Sequence, residues 1–317
     1  MCLFSQALLC CFFNENSSKY LWLTKSNYRG TYNPIHMAEN ILVYKITRSE
    51  IEPINLDASD FDAITSELPS GLYTTFRTYA GRTKVIGLHS HLERLYLPAK
   101  AQGIVPTVRR RDDFRHILAD LLLRVDASEA RVRLILDTTA EPGTLYVLLA
   151  PLQLLPNEIY ENGVHLEISR TSREKPSLKR TSFIQESALE RKRIDAEIFE
   201  ILLTDKGRIL EGMTSNFFYV RNGVLCTAGR GVLIGVTRQT VIALAKRGGI
   251  DISNRAIRVN ELPSISEAFI TSSSRGIVPV VGIDAQQVGD GQVGEITKRL
   301  MKSYNEEVFS LAEDIVS

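Results

Sequence analysis

The stretch EILLTDKGRILEGMTSNFFYVRNGVLCTA, residues 200–228, decides the fold of this chain. It opens on an apolar run that predicts a strand ending in the turn Asp-Lys-Gly at 205–207. From Arg208 onward the pattern predicts another strand, and the pair Asn222-Gly223 is typical of a hairpin turn before a return strand. We therefore expect residues 200–228 to form a strand-rich unit with hairpin connections.

Hairpins and amphipathic helices share the rest of the chain. The segment GLYTTFRTYAGRTKVIGL, residues 71–88, predicts two strands around an Ala-Gly-Arg turn. The spacing of apolar residues predicts helices over five further segments. These segments are residues 89–103, 112–125, 182–197, 237–249 and 297–316. Hairpins mixed with helices favour an α+β architecture over a regular succession of parallel strand–helix–strand units.

The length and one proline-bearing stretch define the expected domain organisation. A chain of 317 residues is long enough for two domains. Residues 151–163 contain prolines and lose the regular apolar spacing, so we place the boundary there. This predicts a small N-terminal α+β domain over 37–155 and a larger C-terminal domain over 160–317. Residues 1–36 show no sustained pattern before Met37, and we expect a disordered leader or a misassigned start.

Composition and charge argue against several classes of protein. The 38 basic and 37 acidic side chains nearly cancel, which argues against nucleic acid as a partner bound through its phosphate backbone. No apolar run reaches the roughly 18–20 residues that a membrane-spanning helix needs, so no membrane partner is expected. The four cysteines form no CxxC pair, and the five histidines are scattered. We therefore expect a cytoplasmic protein without a metal site.

Five segments, in order, resemble the class IV pyridoxal-phosphate enzymes, also called fold type IV. The most specific is the stretch 200–228, whose second half is similar to the family pattern E-x-x-x-S-N-x-F. The other four are residues 71–95, 163–184, 231–245 and 267–280. The family includes branched-chain aminotransferases, D-amino-acid aminotransferases and aminodeoxychorismate lyase. The resemblance implies a two-domain α+β fold with hairpin-rich sheets flanked by helices, and a homodimer. It also implies a pyridoxal 5'-phosphate (PLP) cofactor, bound by the larger C-terminal domain.

The resemblance implies roles for two side chains that would contact the reactive part of the cofactor. Lys179 matches the family's reactive lysine, which forms a Schiff base with PLP and moves a proton at the substrate's Cα. Lys175 is the competing lysine in the same basic segment. Glu211 matches the acid that faces the pyridine nitrogen and keeps it protonated. Asn216 is expected to brace the strand.

The resemblance also implies residues that bind phosphate and substrate. The start of a helix suits an anion because its first backbone N–H groups have no partner within the helix. The matching phosphate-binding residues are Arg94, Val236, Thr237, Ser272 and Ser273. For the substrate, Arg133 matches a carboxylate ligand of related transaminases, and Thr75 comes from the matching hairpin. Because Arg133 lies on an alternating strand, its other interpretation is a side chain that faces water.

The reaction implied by the resemblance is aminotransfer between a small amino acid and a 2-oxo acid. One alternative is aminodeoxychorismate lyase, which forms 4-aminobenzoate and pyruvate. The stretch YTTFRTY, residues 73–79, resembles the FTT-x-R segment of some of these lyases. Ile184 also replaces the tyrosine that branched-chain aminotransferases carry five residues after the lysine. An alternative of another class is a catalytically silent PLP-binding or scaffold protein.

Overall fold

The computed structural model describes residues 41–316, except 57, 59, 170–176 and 196. The expectation for residues 1–36 and the competing Lys175 therefore lie outside the described residues. All described residues fall in a single structural unit, and the predicted domain boundary stays a prediction. Over these residues, no helix combines the length and the apolar character that crossing a bilayer requires.

The first half of the described chain folds into one sheet with helices beside it. Its strands are β1 (Leu42–Ile46), β2 (Ile51–Ile54), β3 (Gly71–Tyr79), β4 (Lys84–Ile86), β5 (Ala130–Asp137) and β6 (Leu145–Pro151). Its helices are α1 (Phe61–Glu67), α2 (Leu88–Ala101) and α3 (Arg111–Leu122). Helix α4 (Asn157–Asn162) follows β6 and packs against the core of the second sheet through Ile159 and Tyr160. The strand order is β4-β3-β5-β6-β1-β2, and every pairing is antiparallel.

Alternation along β5 gives this first sheet two different faces. Val132, Leu134 and Leu136 join the apolar core that α2 and α3 cover. Arg131 and Arg133 point to the opposite face, because successive side chains of a strand alternate. The sheet therefore buries apolar side chains on one face and presents arginines on the other.

The second half of the described chain forms another sheet with its own helices. Its strands are β7 (Val164–Ser169), β8 (Glu200–Asp205), β9 (Arg208–Gly212), β10 (Asn216–Arg221), β11 (Val224–Thr227), β12 (Ile252–Ser253), β13 (Glu267–Ser272), β14 (Gly276–Ile283) and β15 (Gln286–Gln287). Its helices are α5 (Ser182–Glu186), α6 (Ala188–Arg191), α7 (Val236–Arg247), a 3₁₀ turn (Val259–Ser264) and α8 (Glu295–Leu311). The last strand, β16 (Ala312–Asp314), returns to the first sheet and pairs with β4.

The second sheet closes on itself. Its strand order is β12-β11-β10-β13-β14-β7-β8-β9, and a further pairing of Glu211 with Asn216 joins β9 back to β10. Side chains such as Phe217 and Ile270 pack together inside the resulting ring. Phe218 lies one residue further along β10 and packs on the other side, in a core that includes side chains of α7 and α8. The ring closure therefore places Glu211 at a defined point.

Two of the expected helices are wrong in extent. Residues 182–197 form the two short helices α5 and α6, because the Ser187 hydroxyl donates back to the Phe183 carbonyl and the chain breaks there. The expected C-terminal helix ends at Leu311, and the chain continues as strand β16. Ile315, just after that strand, is fully buried in the core of the first sheet. Tertiary packing therefore outweighs the local helix preference.

Replacing a buried leucine of β5 tests this description of the core. We expect Leu134→Ala to lower the free energy of unfolding by about 2–5 kcal/mol, because it removes fully buried methyl groups and leaves a cavity. Leu123 is 79% exposed, so Leu123→Ala is the matched control and should change stability by less than about 0.5 kcal/mol. Urea unfolding measures the change in the free energy of unfolding for each variant. Equal changes for Leu134→Ala and Leu123→Ala would contradict the placement of Leu134 in the core.

Candidate active site

A cavity of about 480 Å³ lies between the first sheet and the second. Its wall brings together all the side chains that the sequence analysis singled out for cofactor or substrate. They are Thr75, Arg94, Arg133, Lys179, Glu211, Val236, Thr237, Ser272 and Ser273. These residues come from both halves of the chain, so only the tertiary structure assembles them. The structure shows that these residues line one cavity, and the role of each residue toward cofactor or substrate stays a prediction.

Lys179 reaches the cavity from a segment that is bonded to β3. The backbone N–H of Tyr73 donates to the Lys179 carbonyl at 2.8 Å, and the N–H of Thr181 donates to the Gly71 carbonyl at 2.9 Å. The buried Thr181 hydroxyl in turn accepts the Gly71 N–H at 2.9 Å. The Lys179 Nζ lies 4.6 Å from the centre of the Tyr73 ring, within the range of a cation–π contact. The backbone of the lysine is therefore fixed on both sides.

Glu211 is held by the loop that precedes α7. It is buried, and its Oε2 accepts the backbone N–H of Leu233 at 2.9 Å. The Asn216 Nδ2 donates to the Leu233 carbonyl at 2.7 Å and to Glu211 at 3.4 Å. Asn216 therefore ties the acid, the ring closure and this loop together, which agrees with the bracing role expected for it.

The start of α7 opens into the cavity, and so does the serine-rich turn after β13. A Cβ at Gly235, just before the helix, would lie 2.1 Å from the Asn216 Oδ1, so only glycine allows this approach. The hydroxyls of Ser215 and Thr271 are buried in the wall, and no described residue offers them a hydrogen-bond partner. Unpaired hydroxyls beside a helix N-terminus suit a phosphate group. The residues therefore fit a cofactor that carries one.

Arg94 connects α2 to the same loop. Its Nη2 donates to the Ile234 carbonyl at 2.8 Å. Burial lowers the pKa of Arg94 to about 10, while Tyr73 and Glu211 oppose that shift. The guanidinium therefore stays charged at neutral pH and can neutralise an anion in the cavity.

His91 lies one helical turn before Arg94 and packs inside the protein. It is fully buried, and its Nδ1 lies 2.6 Å from the Thr74 hydroxyl. Burial, with help from Arg94 and Lys179, lowers the pKa of His91 well below its usual value, so the ring is neutral at pH 7. Among the described residues, no cluster of histidine, cysteine or acidic side chains is arranged to hold a metal ion.

Arg133 is surrounded by acceptors from the first half of the chain. Its Nη1 donates to the Phe61 carbonyl at 2.9 Å and to the Asp62 carboxylate at 2.7 Å, and its Nε donates to the Thr75 hydroxyl at 3.1 Å. Arg191 donates to the other Asp62 oxygen at 2.8 Å. Burial by itself would raise the pKa of Asp62, but the two arginines outweigh it and hold that pKa well below its usual value. Arg133 is 4% exposed and does not face bulk water.

Sequence reasoning missed several charged residues of the cavity wall. Arg275 donates to the Glu200 carboxylate at 2.9 Å, although the two residues lie 75 positions apart. No local pattern indicates such a pair. Arg131 also lines the wall, two residues before Arg133 on the same face of β5. The resemblance singled out Arg133, and the alternation of the strand places Arg131 on the same face, so Arg131 could have been found from the strand pattern.

Comparison with known proteins points to one family. The family model for amino-transferase class IV matches residues 71–283. The chain belongs to this family. It is therefore an enzyme, an aminotransferase, of a class that uses PLP to move an amino group between an amino acid and a 2-oxo acid. The resemblance stated from the sequence is confirmed.

Individual relatives agree with this assignment. A Thermotoga maritima protein named "probable branched-chain-amino-acid aminotransferase" is 30% identical over 264 residues, which cover 81% of this aminotransferase and 93% of the relative. A D-alanine aminotransferase from Bacillus licheniformis is 27% identical and covers 76% and 88%. The crystal structure of a T. maritima protein assigned as a branched-chain amino acid aminotransferase matches with a TM-score of 0.71 and 26% identity, covering 84% and 96%. This match confirms the expected fold type IV α+β architecture.

Removing the carboxylate shared by Arg133 and Arg191 should destabilise the aminotransferase in a pH-dependent way. We expect Asp62→Asn to lower the free energy of unfolding at pH 7 by about 1–3 kcal/mol, because the buried Arg133 and the partly buried Arg191 lose the carboxylate that they share. The folded-state pKa of Asp62 is depressed, so its stabilising effect is complete above the unfolded-state pKa of about 3.9 and is lost as the pH falls below it.

Urea unfolding between pH 7 and pH 3 measures this difference. The gap between the wild type and Asp62→Asn should narrow at the acid end, and a gap that stays constant would contradict the assignment. Asp112 is 55% exposed and pairs only at the surface, so Asp112→Asn is the control and should change stability by less than about 0.5 kcal/mol.

Proposed function

We propose that Lys179 and Glu211 carry out the transamination of a small amino acid and a 2-oxo acid, with PLP bound between the two sheets. One observation carries this proposal: an amine, a buried acid and an anion-binding helix start line the same cavity. When bound, PLP supplies an electron-withdrawing ring that makes the Cα–H bond of the substrate acidic. The residues of the chain decide where protons move and where charge is held.

Lys179 is the amine that binds the cofactor and then serves as the base. Its Nζ would hold the cofactor covalently, and the same amine would take the proton from the substrate's Cα. The backbone bonds to β3 keep the residue in place, while four carbons of side chain let the amine move between positions. The face of Tyr73 lies next to the amine and favours it once it carries the proton.

Glu211 would face the ring nitrogen of the cofactor and keep that nitrogen protonated. Its burial and its bonds to Leu233 and Asn216 keep the carboxylate pointed in one direction. A fixed anion favours a protonated ring nitrogen, because the two charges attract strongly where water is excluded. This is the role that the family resemblance implies for the residue.

The phosphate end is formed by Arg94, the start of α7 and the turn after β13. Arg94 supplies a guanidinium, while Val236 and Thr237 supply the first backbone N–H groups of the helix and a hydroxyl. Ser272 and Ser273, at the end of β13 and in the turn after it, add hydroxyls to the same cavity. Together these groups would hold the phosphate of the cofactor.

The substrate end is formed by Thr75 and Arg133, which lie on adjacent strands of the first sheet. A small amino acid fits the names of the relatives, one of which refers to branched-chain amino acids and the other to D-alanine.

We also propose that the enzyme works as a homodimer in the cytoplasm. The family resemblance supports the dimer, and four cysteines whose spacing suggests no disulfide framework support a reducing compartment.

Chemical trapping tests the assignment of Lys179. We expect borohydride reduction of the holoenzyme, followed by digestion and mass spectrometry, to find a pyridoxyl group on Lys179, because Lys179 lines the cavity. Lys179→Arg should lose the label and about 10²–10⁴-fold in kcat, since the base is removed. Lys302 is 76% exposed, so Lys302→Arg is the control, and this variant should keep the label on Lys179 and the kcat of the wild type. A label on Lys175 would contradict the proposal.

The order of product release distinguishes the aminotransferase from the lyase. Holoenzyme mixed with an amino acid donor and no acceptor should release one equivalent of 2-oxo acid and then stop, because the amino group remains on the enzyme until an acceptor arrives. Chromatography of the 2-oxo acids, with and without added acceptor, measures this. Repeated release of pyruvate from aminodeoxychorismate without any acceptor would contradict transamination, and inactivity with both substrates would favour the catalytically silent alternative.

A further inference from the structure

Two contacts join helix α2 to the start of α7. The Nη2 of Arg94, in the middle of α2, donates to the Ile234 carbonyl at 2.8 Å. Gly87, the residue between β4 and α2, lies against the side chain of Val236. Ile234 and Val236 are the two neighbours of Gly235, which caps α7. Helix α2 therefore contacts the segment whose N–H groups open into the cavity.

The contact at Gly87 is too close for any residue with a side chain. A Cβ at this position would lie 2.7 Å from the Cγ1 of Val236. Two carbon atoms in ordinary contact are about 3.5–4.0 Å apart, so the two segments would have to separate by roughly 1 Å. Gly87 also has a φ of 62°, in the left-handed region that favours glycine.

Val236 has little freedom to move its side chain away. A valine in a helix strongly prefers one rotamer, because both branches start at Cβ. The side chain of Val236 is also packed, with the residue 7% exposed, and it lines the cavity. An atom added at Gly87 would therefore displace the backbone at the start of α7.

We propose that Gly87 is a positioning residue for the cofactor phosphate, an inference that rests on the phosphate site proposed above. Gly87 and Arg94 belong to one segment, and Val236 begins the other. The missing side chain at Gly87 therefore sets the distance between the Arg94 guanidinium and the first N–H groups of α7, which share one anion. A displacement of about 1 Å takes such groups out of hydrogen-bonding geometry.

Binding of PLP and of pyridoxal to the full chain, freed of cofactor by dialysis, tests this role. Pyridoxal lacks the phosphate, so the ratio of the two Kd values reports on the phosphate site. Gly87→Ala should raise the Kd for PLP by about 10- to 100-fold, the loss expected for a hydrogen bond to a charged group. The Kd for pyridoxal should stay close to that of the wild type. Absorbance during titration measures both constants.

Gly81 provides a matched control. Its φ of 68° is close to that of Gly87, but a Cβ at Gly81 would meet no atom within 4 Å. Gly81→Ala therefore has similar backbone strain without the contact, and it should bind both ligands as the wild type does. A loss of PLP affinity as large as that of Gly87→Ala would assign the effect to backbone strain and overturn the proposal.

A second substitution on the other side of the contact tests the cause. Val236→Ala removes Cγ1 and keeps the backbone N–H, so Gly87→Ala/Val236→Ala should bind PLP more tightly than Gly87→Ala does. No recovery overturns the role of this contact. Gly87→Asn serves where the alanine variant does not fold, because asparagine adopts a positive φ more readily and still has a Cβ. It should show the same selective loss of PLP affinity.

The two ligands also separate this inference from the proposed function. A wild type that binds PLP no more tightly than pyridoxal overturns the phosphate site and this inference with it. A wild type that prefers PLP, with Gly87 variants that keep the full preference, overturns the positioning role alone. An equal loss of affinity for both ligands in the Gly87 variants indicates a general structural role and also overturns the proposal.

Discussion

The hydrogen bonds between β3 and the segment that carries Lys179 join the two halves of the active site. The lysine's carbonyl accepts from the first sheet, whereas Glu211 belongs to the ring of strands in the second half. The position of the amine relative to the acid therefore depends on this contact. Gly71 makes it possible, because a Cβ there would lie 2.0 Å from the Leu136 carbonyl oxygen and would push β3 away from β5.

The substrate end of the cavity depends on a helix cap. The Asp60 carboxylate accepts the backbone N–H groups of Asp62 and Ala63, both at 2.8 Å, and so begins α1 at Phe61. This start presents the Phe61 ring and the Asp62 carboxylate to the arginines of β5. A local signal of the sequence thereby sets the electrostatics of a site whose other members lie far along the chain.

Much of the architecture follows from short-range patterns. Alternation and turn residues predicted the hairpin of β3 and β4, the alternating strand that carries Arg133, and the strand pair around Asn222-Gly223, all of which are present. Patterns were less reliable where two structures compete. Residues 312–314 look helical by apolar spacing, yet they become a strand because β4 offers an open edge and Ile315 has a buried place beside it.

The sequence by itself determined the chemistry that is available: the lysine, the acid, the glycine before α7 and the alternating face of β5. Tertiary structure alone decided which charges neutralise each other. Asp62 meets Arg191 across 129 positions and Glu200 meets Arg275 across 75, which leaves Arg131 facing the cavity without a protein acceptor among the described residues. The physical reason is that sequence patterns and ion pairs depend on different separations along the chain. Periodicity reflects neighbours a few residues apart, whereas an ion pair depends on the distance between elements that only the packed sheets bring together.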